Sequence, residues 1–357
     1  MKICVYAICK NEEKFVERWL ESMKEADYIC VLDTGSTDKT VELLKKNPKV
    51  ILKQKIISPW RFDVARNESM KLIPKDSDLC LCIDLDEFFD KGWRKILEEN
   101  VSPMTQQVRY RYVWNFNDDG SEGIVFFADK IHTLQNFCWK FPVHEVITFT
   151  GAGQPNVVTI EKLCLKHKAD NTKSRGQYLP LLELAVKENP NNDRCLHYLA
   201  REYFFHKDYQ KSIDCFEKHL VLPTSTWAEE RCASQRYIAK CYWCMKNFEK
   251  AEHYFRLAIL QSPKSREPYF EIGKLYFEQN QFEKAAAAFE AMQNIQMREL
   301  NYISDPNCWD GSVYDYLSVC YFYLKNKTNA LKNGALAVKY FKNDQRVLKN
   351  FELIQNM

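Results

Sequence analysis

Four short polar groups, each near the end of an apolar run, carry the residue types with which this chain could do chemistry. Lys10-Asn11-Glu12 follows Ile3–Cys9, and Asp33-Thr34-Gly35-Ser36-Thr37-Asp38 follows Tyr28–Leu32. Arg66 and Asn67 come after Val50–Leu52, and Asp84-Leu85-Asp86-Glu87 closes the run Leu79–Ile83. Carboxylates at i and i+2 of an extended chain project to the same side, which suits a divalent cation that takes oxygen ligands. Asp84 and Asp86 have that spacing, whereas Asp38 reads as a helix cap. Neither GxGxxG nor GxxxxGK[ST] occurs in the sequence. A nucleotide bound here would need its phosphates neutralised by side chains or a cation rather than by a glycine-rich loop.

The elements that must position these groups follow from apolar periodicity. Ile3–Cys9, Tyr28–Leu32, Val50–Leu52 and Leu79–Ile83 are short runs apolar on both faces, as strands of a sheet covered on both sides must be. Between them, Phe15, Trp19, Leu20 and Met23, then 37–46 and 63–72, have helical spacing. This alternation predicts a mostly parallel α/β sheet, whose ligands bind at the carboxyl ends of the strands. The polar groups lie at those ends. Farther on, 108–116 and 124–127 flank Asn117-Asp118-Asp119-Gly120, a hairpin signal, and 157–165 reads as a further strand.

From about Ser174 the strand signals stop and the chain repeats itself. Leu199-Ala-Arg-Glu-Tyr203, Ile238-Ala-Lys-Cys-Tyr242, Ile272-Gly-Lys-Leu-Tyr276 and Leu317-Ser-Val-Cys-Tyr321 place their tyrosines 39, 34 and 45 residues apart. Each is followed by a polar turn and a second helical pattern, as in Asn247-Phe-Glu-Lys-Ala251 and Gln281-Phe-Glu-Lys-Ala285. A helix-turn-helix unit of about 34 residues resembles the tetratricopeptide repeat, which stacks into a solenoid. The reading is an α/β domain over 1–172 and an all-α repeat domain over 173–357.

Composition narrows the function. The 51 basic and 48 acidic residues nearly balance, without the basic excess of a nucleic-acid binder. The longest stretch lacking ionisable acids and bases, 146–160, contains Gly151, Gly153 and Pro155, so no membrane span is expected. Fourteen cysteines scattered through apolar runs read as buried hydrophobes in a reducing compartment, and the expected location is cytoplasmic.

The segments ICKNEE, VLDTGSTDKT, ARNES and CIDLDEF, in this order, resemble family-2 glycosyltransferases of the GT-A (Rossmann-like) fold, through about Leu165. Joined to repeats, the chain is similar to bacterial and phage glycosyltransferases that include the peptide S-glycosyltransferases of bacteriocins. The resemblance implies inverting transfer from a nucleotide diphosphate sugar, a UDP-sugar first among them, with Mn²⁺ or Mg²⁺. Carried over by position, Glu12 and Asp33 contact the uridine, Arg66 lies near the nucleotide, and Asp84 faces the ribose or the metal. Asp86, in the position of the family's DXD motif, ligates the metal, and His167, after the last strand, completes that site. Lys173 and Arg175 lie near the diphosphate, and Glu145, in Phe141-Pro-Val-His-Glu145, is the catalytic base. Thr34 departs from the commoner VDDGSTD pattern.

The acceptor is expected to be a peptide, protein or glycan, and its linking atom (S, O or N) and the donor sugar stay open. A homodimer through the repeats is compatible with the solenoid reading. Two other functions fit parts of the sequence: a repeat adaptor with a degenerate α/β domain, and a nucleotidyltransferase. Intact Asp33, Asp84 and Asp86 disfavour the first, and the missing glycine- and basic-rich loop disfavours the second.

Overall fold

The computed structural model describes residues 1–117, 119–170 and 176–357. These form two compact units, Met1–Ala185 with Leu300–Tyr302, and Val186–Glu299 with Ile303–Met357. In the first unit, β1 (Ile3–Cys9), α1 (Glu13–Met23), β2 (Tyr28–Asp33), α2 (Thr40–Lys45), β3 (Val50–Gln54), α3 (Phe62–Met70) and β4 (Leu79–Cys82) alternate as the periodicity requires. The four strands pair in parallel in the order β3-β2-β1-β4. The chain thus builds outward from β1 on one side and returns to its other side for β4. The crevice at the carboxyl ends of β1 and β4 is the topological switch point, where open α/β sheets bind ligands. Phe15, Val16, Trp19 and Met23 line one stripe of α1 and are buried in the core beside β1, β2 and β4.

The sheet continues with strands that apolar pattern alone places less well. After β5 (Glu87–Phe89) and α4 (Trp93–Asn100) come β6 (Gln107–Val113), β7 (Val125–His132), β8 (Phe137–Lys140), β9 (Val146–Phe149) and β10 (Val157–His167). The sheet order runs on as β4-β7-β6-β10-β5, with β7 antiparallel to both neighbours and β10 parallel to β6. β8 and β9 form a separate hairpin. The expected hairpin around Gly120 exists, but its first strand stops at Val113 and its second extends to His132. β5, α4 and the β8–β9 hairpin had no sequence prediction.

A buried polar chain ties the small hairpin to the sheet. Trp139 Nε1–H donates to Tyr6 Oη (2.9 Å), and that hydroxyl donates to His132 Nε2 (2.7 Å). His132 Nδ1–H in turn donates to the Thr133 carbonyl (2.8 Å). In the neutral ring both imidazole nitrogens are satisfied and the Tyr6 hydroxyl proton has an acceptor.

α5 (Tyr178–Glu188) follows, and the second unit is helical. Four antiparallel hairpins pair α6 (Asp193–Phe205) with α7 (Tyr209–Val221), α8 (Ala228–Cys244) with α9 (Phe248–Gln261), α10 (Glu267–Glu278) with α11 (Phe282–Gln293), and α12 (Ser312–Tyr323) with α13 (Lys327–Tyr340). These are the four predicted repeats. α14 (Gln345–Gln355) packs on α13. Each hairpin turns through one left-handed residue: Lys207, Lys246, Asn280 and Lys325. In three of them the next residue, Asp208, Asn247 or Asn326, caps the second helix with its side chain. Gly273 is needed for contact: a Cβ there would stand 2.6 Å from the Phe289 ring.

Burial pushes the His132 imidazole down to about 4. The unfolded chain therefore binds a proton between about pH 6.5 and 4 that the folded chain refuses. Stability from this group is complete above pH 6.5 and falls with pH, by about 2 kcal/mol at pH 5 and about 3 kcal/mol below pH 4. Thermal unfolding of the native chain should lose more stability between pH 7 and 5 than that of His132→Gln. Equal losses would show that His132 accepts a proton in place.

Candidate active site

Arg66 is buried on α3, 5% exposed, and its guanidinium collects the ends of three separate segments. Nη1 and Nη2 fork onto the Asp84 carboxylate, the second at 2.9 Å. Nε donates to Glu145 Oε1 (3.0 Å) and Nη1 to Cys82 Sγ (3.3 Å). The guanidinium carbon lies 5.4 Å from the Trp139 ring centre, at cation–π range. Asn67 keeps α3 in place by exchanging two hydrogen bonds of 2.9 Å with the Trp139 backbone. The Phe62 N–H donates to the Pro142 carbonyl (3.0 Å). The turn between β8 and β9 that presents Glu145 holds two non-glycine residues with positive φ, Phe141 (77°) and His144 (49°). Such backbone costs about 1–3 kcal/mol per residue and persists where surrounding contacts over-determine it.

Asp84 and Asp86 do not share a side, contrary to the expectation from their spacing. β4 ends at Cys82, and residues 84–87 form a turn closed by the Glu87 N–H on the Asp84 carbonyl (2.9 Å). The turn sends Asp84 to Arg66 and Asp86 to His167, whose Nε2 is 3.1 Å from Asp86 Oδ2. His167 Nδ1–H donates to the Trp114 carbonyl (2.8 Å), which turns the Nε2 edge of the ring toward Asp86. The Asp86 carbonyl accepts from Arg18 Nη2 (3.1 Å) and the Lys168 N–H (3.0 Å). Beneath the turn, Glu87 is 2% exposed and takes Tyr112 Oη (2.7 Å) and Lys130 Nζ (2.6 and 2.8 Å). Lys130 Nζ also lies 3.7 Å from Asp84.

Charge around Asp84 is strongly biased. Burial opposes its ionisation, but Arg66 and then Lys130 outweigh it and hold the carboxyl well below the usual carboxylate range. Burial likewise opposes the charges on Arg66 and Lys130. Asp84 leads the anions that hold Arg66 above its ordinary value, and Glu87 leads those that do so for Lys130. For His167, burial is outweighed by the hydrogen bond and charge of Asp86, which raise the imidazole.

Asp33 is fully buried, and its carboxylate shapes its own loop: Oδ1 accepts from the Gly35 and Ser36 N–H groups, both at 3.2 Å. Gly35 has φ +113°, which glycine adopts at little cost. This loop locks to the one after β1. Asn11 Oδ1 accepts from the Thr37 N–H (2.8 Å), and Thr40 Oγ1 from the Glu12 N–H (2.7 Å). Asp38, expected as a helix cap, lies one residue before the N-cap Lys39 of α2 and accepts the backbone N–H groups of Thr40 and Glu13. Glu122 is paired with Arg111 and Asp119 with Ser121. Asp118, Lys173 and Arg175 lie outside the described residues. The structure therefore gathers Arg66, Asp84 and Glu145 in one set of contacts and Asp86 with His167 in another. Lys130, Arg18 and Tyr112 were missed, because a charged or aromatic residue inside a strand or helix has no local signal of what it faces.

Residues 4–155 match the sequence model of glycosyl transferase family 2, and residues 267–295 that of a tetratricopeptide repeat. Over residues 4–155 the N-terminal unit is similar to family-2 glycosyltransferase domains. In this chain that unit precedes helical repeats of the tetratricopeptide type. A curated relative, the lipopolysaccharide core biosynthesis glycosyltransferase LpsC of Rhizobium meliloti (strain 1021), is 29% identical over 112 residues. The match covers 31% of this chain and 41% of the relative, so it spans under half of that protein. Among solved structures, MamA 41-end from Desulfovibrio magneticus RS-1 is 15% identical with a TM-score of 0.37, over 47% of this chain and 86% of that one. A thermophilic tetratricopeptide protein of Thermus thermophilus is 17% identical with a TM-score of 0.34, over 50% of this chain and 89% of that one.

Removing the cation from a buried ionic set leaves its anions uncompensated, which typically costs about 3–5 kcal/mol. Arg66→Met should therefore destabilise the N-terminal unit by that order, read from hydrogen exchange of the β1 and β4 amides in the full chain. A loss under about 1 kcal/mol would mean that Asp84 and Glu145 are held by other groups.

Proposed function

We propose that the chain is a metal-dependent, inverting glycosyltransferase. It moves a sugar from a nucleotide diphosphate donor, a UDP-sugar, to a peptide, protein or glycan acceptor that the repeats recruit. The observation that carries this reading is the meeting of Asp86 Oδ2 and His167 Nε2, 3.1 Å apart, beside the Asp84–Arg66–Glu145 set in a family-2-like domain. A carboxylate oxygen and an imidazole nitrogen whose other nitrogen is anchored to a carbonyl form a mixed donor set that suits Mn²⁺ better than Mg²⁺, which prefers oxygen ligands. Asp86 and His167 would hold the ion, which when bound supplies positive charge against the departing nucleoside diphosphate.

The chain's own residues do the rest. Glu12 and Asp33, at the ends of β1 and β2, flank the uridine, and Asp84 takes the ribose side. Arg66 has its N–H groups on Asp84, Glu145 and Cys82, so it acts on the donor by positioning Asp84. Lys173 and Arg175 contribute positive charge near the diphosphate. Trp114 is 40% exposed with its ring 4.8 Å from His167, which offers a stacking face beside the metal ligands. Arg66 engages Oε1 of Glu145, leaving Oε2 to take the acceptor's proton as the acceptor attacks the anomeric carbon opposite the diphosphate.

With purified chain, a UDP-sugar and Mn²⁺, Asp86→Asn should abolish release of free UDP and weaken Mn²⁺-dependent UDP binding markedly. Undiminished release would overturn the metal assignment.

Glu145→Gln keeps an oxygen for Arg66 but cannot take a proton, so acceptor turnover should fall by about 10²–10⁴-fold with donor affinity unchanged. The loss should be smaller for a thiol than for a hydroxyl acceptor, because a thiol ionises more readily near neutral pH. Lost donor affinity with preserved turnover would make Glu145 a donor contact instead.

A further inference from the structure

Helices α6, α7 and α8 of the second unit enclose a set of polar side chains that the glycosyltransferase reading does not use. His197 on α6 and His219 on α7 are wholly buried, and Glu230 on α8 is 6% exposed. One ligand-capable atom from each lies within 4.8 Å of the other two. Ser234 Oγ is 2.9 Å from His197 Nδ1 and 3.0 Å from His219 Nδ1. A hydroxyl oxygen has two lone pairs and can accept both Nδ1–H groups. In that arrangement both rings are the same tautomer, and both Nε2 atoms carry lone pairs.

Those lone pairs need a partner. His197 Nε2 is buried and accepts no hydrogen bond among the described residues, a state that costs free energy in an interior. His219 Nε2 stands 3.2 Å from Glu230 Oε1 and 3.1 Å from Ser225 Oγ. In that tautomer the lone pair faces a carboxylate oxygen, a contact that is repulsive unless a cation or a proton lies between the two atoms. Two ligands at about 2.0–2.1 Å from a tetrahedral zinc ion are themselves about 3.3 Å apart, close to the separation found here.

We propose that His197 Nε2, His219 Nε2 and the Glu230 carboxylate bind a Zn²⁺ ion, with the Ser225 hydroxyl or a water as the fourth ligand. Two imidazoles and a carboxylate suit zinc, and Ser234 orients both rings from behind. The site is structural. Around it, α6–α8 pack through Ala200, Ile213, Phe216, Ile238 and Cys241. The ion staples the first hairpin to α8.

The test uses the full chain with Asp86→Asn and His167→Gln already in place, so that the proposed catalytic ion cannot contribute. After treatment with EDTA, the protein is titrated with Zn²⁺ alone and with Co²⁺ alone. The expected results are one bound equivalent per chain, a rise of about 10 °C in the melting temperature of the helical unit, and the intense visible absorption of four-coordinate Co²⁺. Adding His197→Gln should abolish the equivalent. Should that variant fail to fold, the near-isosteric Glu230→Gln, which should bind Zn²⁺ about tenfold more weakly or worse, decides the matter. Absence of a bound equivalent before these changes, or its survival in Glu230→Gln at full affinity, would overturn the site. The cluster would then be a hydrogen-bonded core with a proton between His219 and Glu230.

Discussion

A guanidinium buried on α3 holds together parts of the N-terminal unit that are far apart in sequence. Arg66 binds Asp84 after β4, Cys82 on β4 and Glu145 before β9, over the face of Trp139. Taking such a charge out of water is costly, and the cost is recovered only if the guanidinium N–H groups find anions or lone pairs in good geometry. That requirement fixes Asp84 and Glu145 relative to each other before any ligand arrives. The 141–145 turn, with positive φ at Phe141 and His144, carries Glu145 to that guanidinium.

The same economy of charge recurs in the layers around this set. Lys130 compensates Glu87, which in turn holds the Asp84 backbone N–H through Oε2 (2.9 Å). Arg18 on α1 fixes the Asp86 carbonyl, and the Trp114 carbonyl fixes the His167 ring. Asp84, Asp86, Glu145 and His167 are therefore each held by a second group, the condition for a preorganised site. The second unit relies mainly on aromatic packing, as in the Phe282–Tyr323 stack at 4.4 Å, and buries polar groups on α6–α8 and again on α10, α12 and α13.

The sequence by itself determined a good deal. Apolar runs on both faces required covered strands, and the recurring tyrosine units with their polar turns required helical hairpins. Both depend on local periodicity, and both are found. The polar groups closing β1, β2 and β4 lie at the carboxyl ends because parallel strands put them there. Weakly patterned elements were not legible: β5 is three residues long, and β8 and β9 are four each, too short to establish a period.

Only the tertiary structure decided what each charged residue faces. Asp84 and Asp86 differ by two positions, yet a turn at the end of β4 separates their partners, and strand spacing held no sign of that turn. Lys130 is one polar residue within β7 and acquires its meaning from Glu87, 43 residues earlier. Arg66 meets Glu145 across 79 residues, and His167 meets Asp86 across 81. Periodicity reports which side of an element is buried. The identity of the group on the other side depends on chain topology and on the demand that every buried charge be compensated, and those are satisfied only in three dimensions.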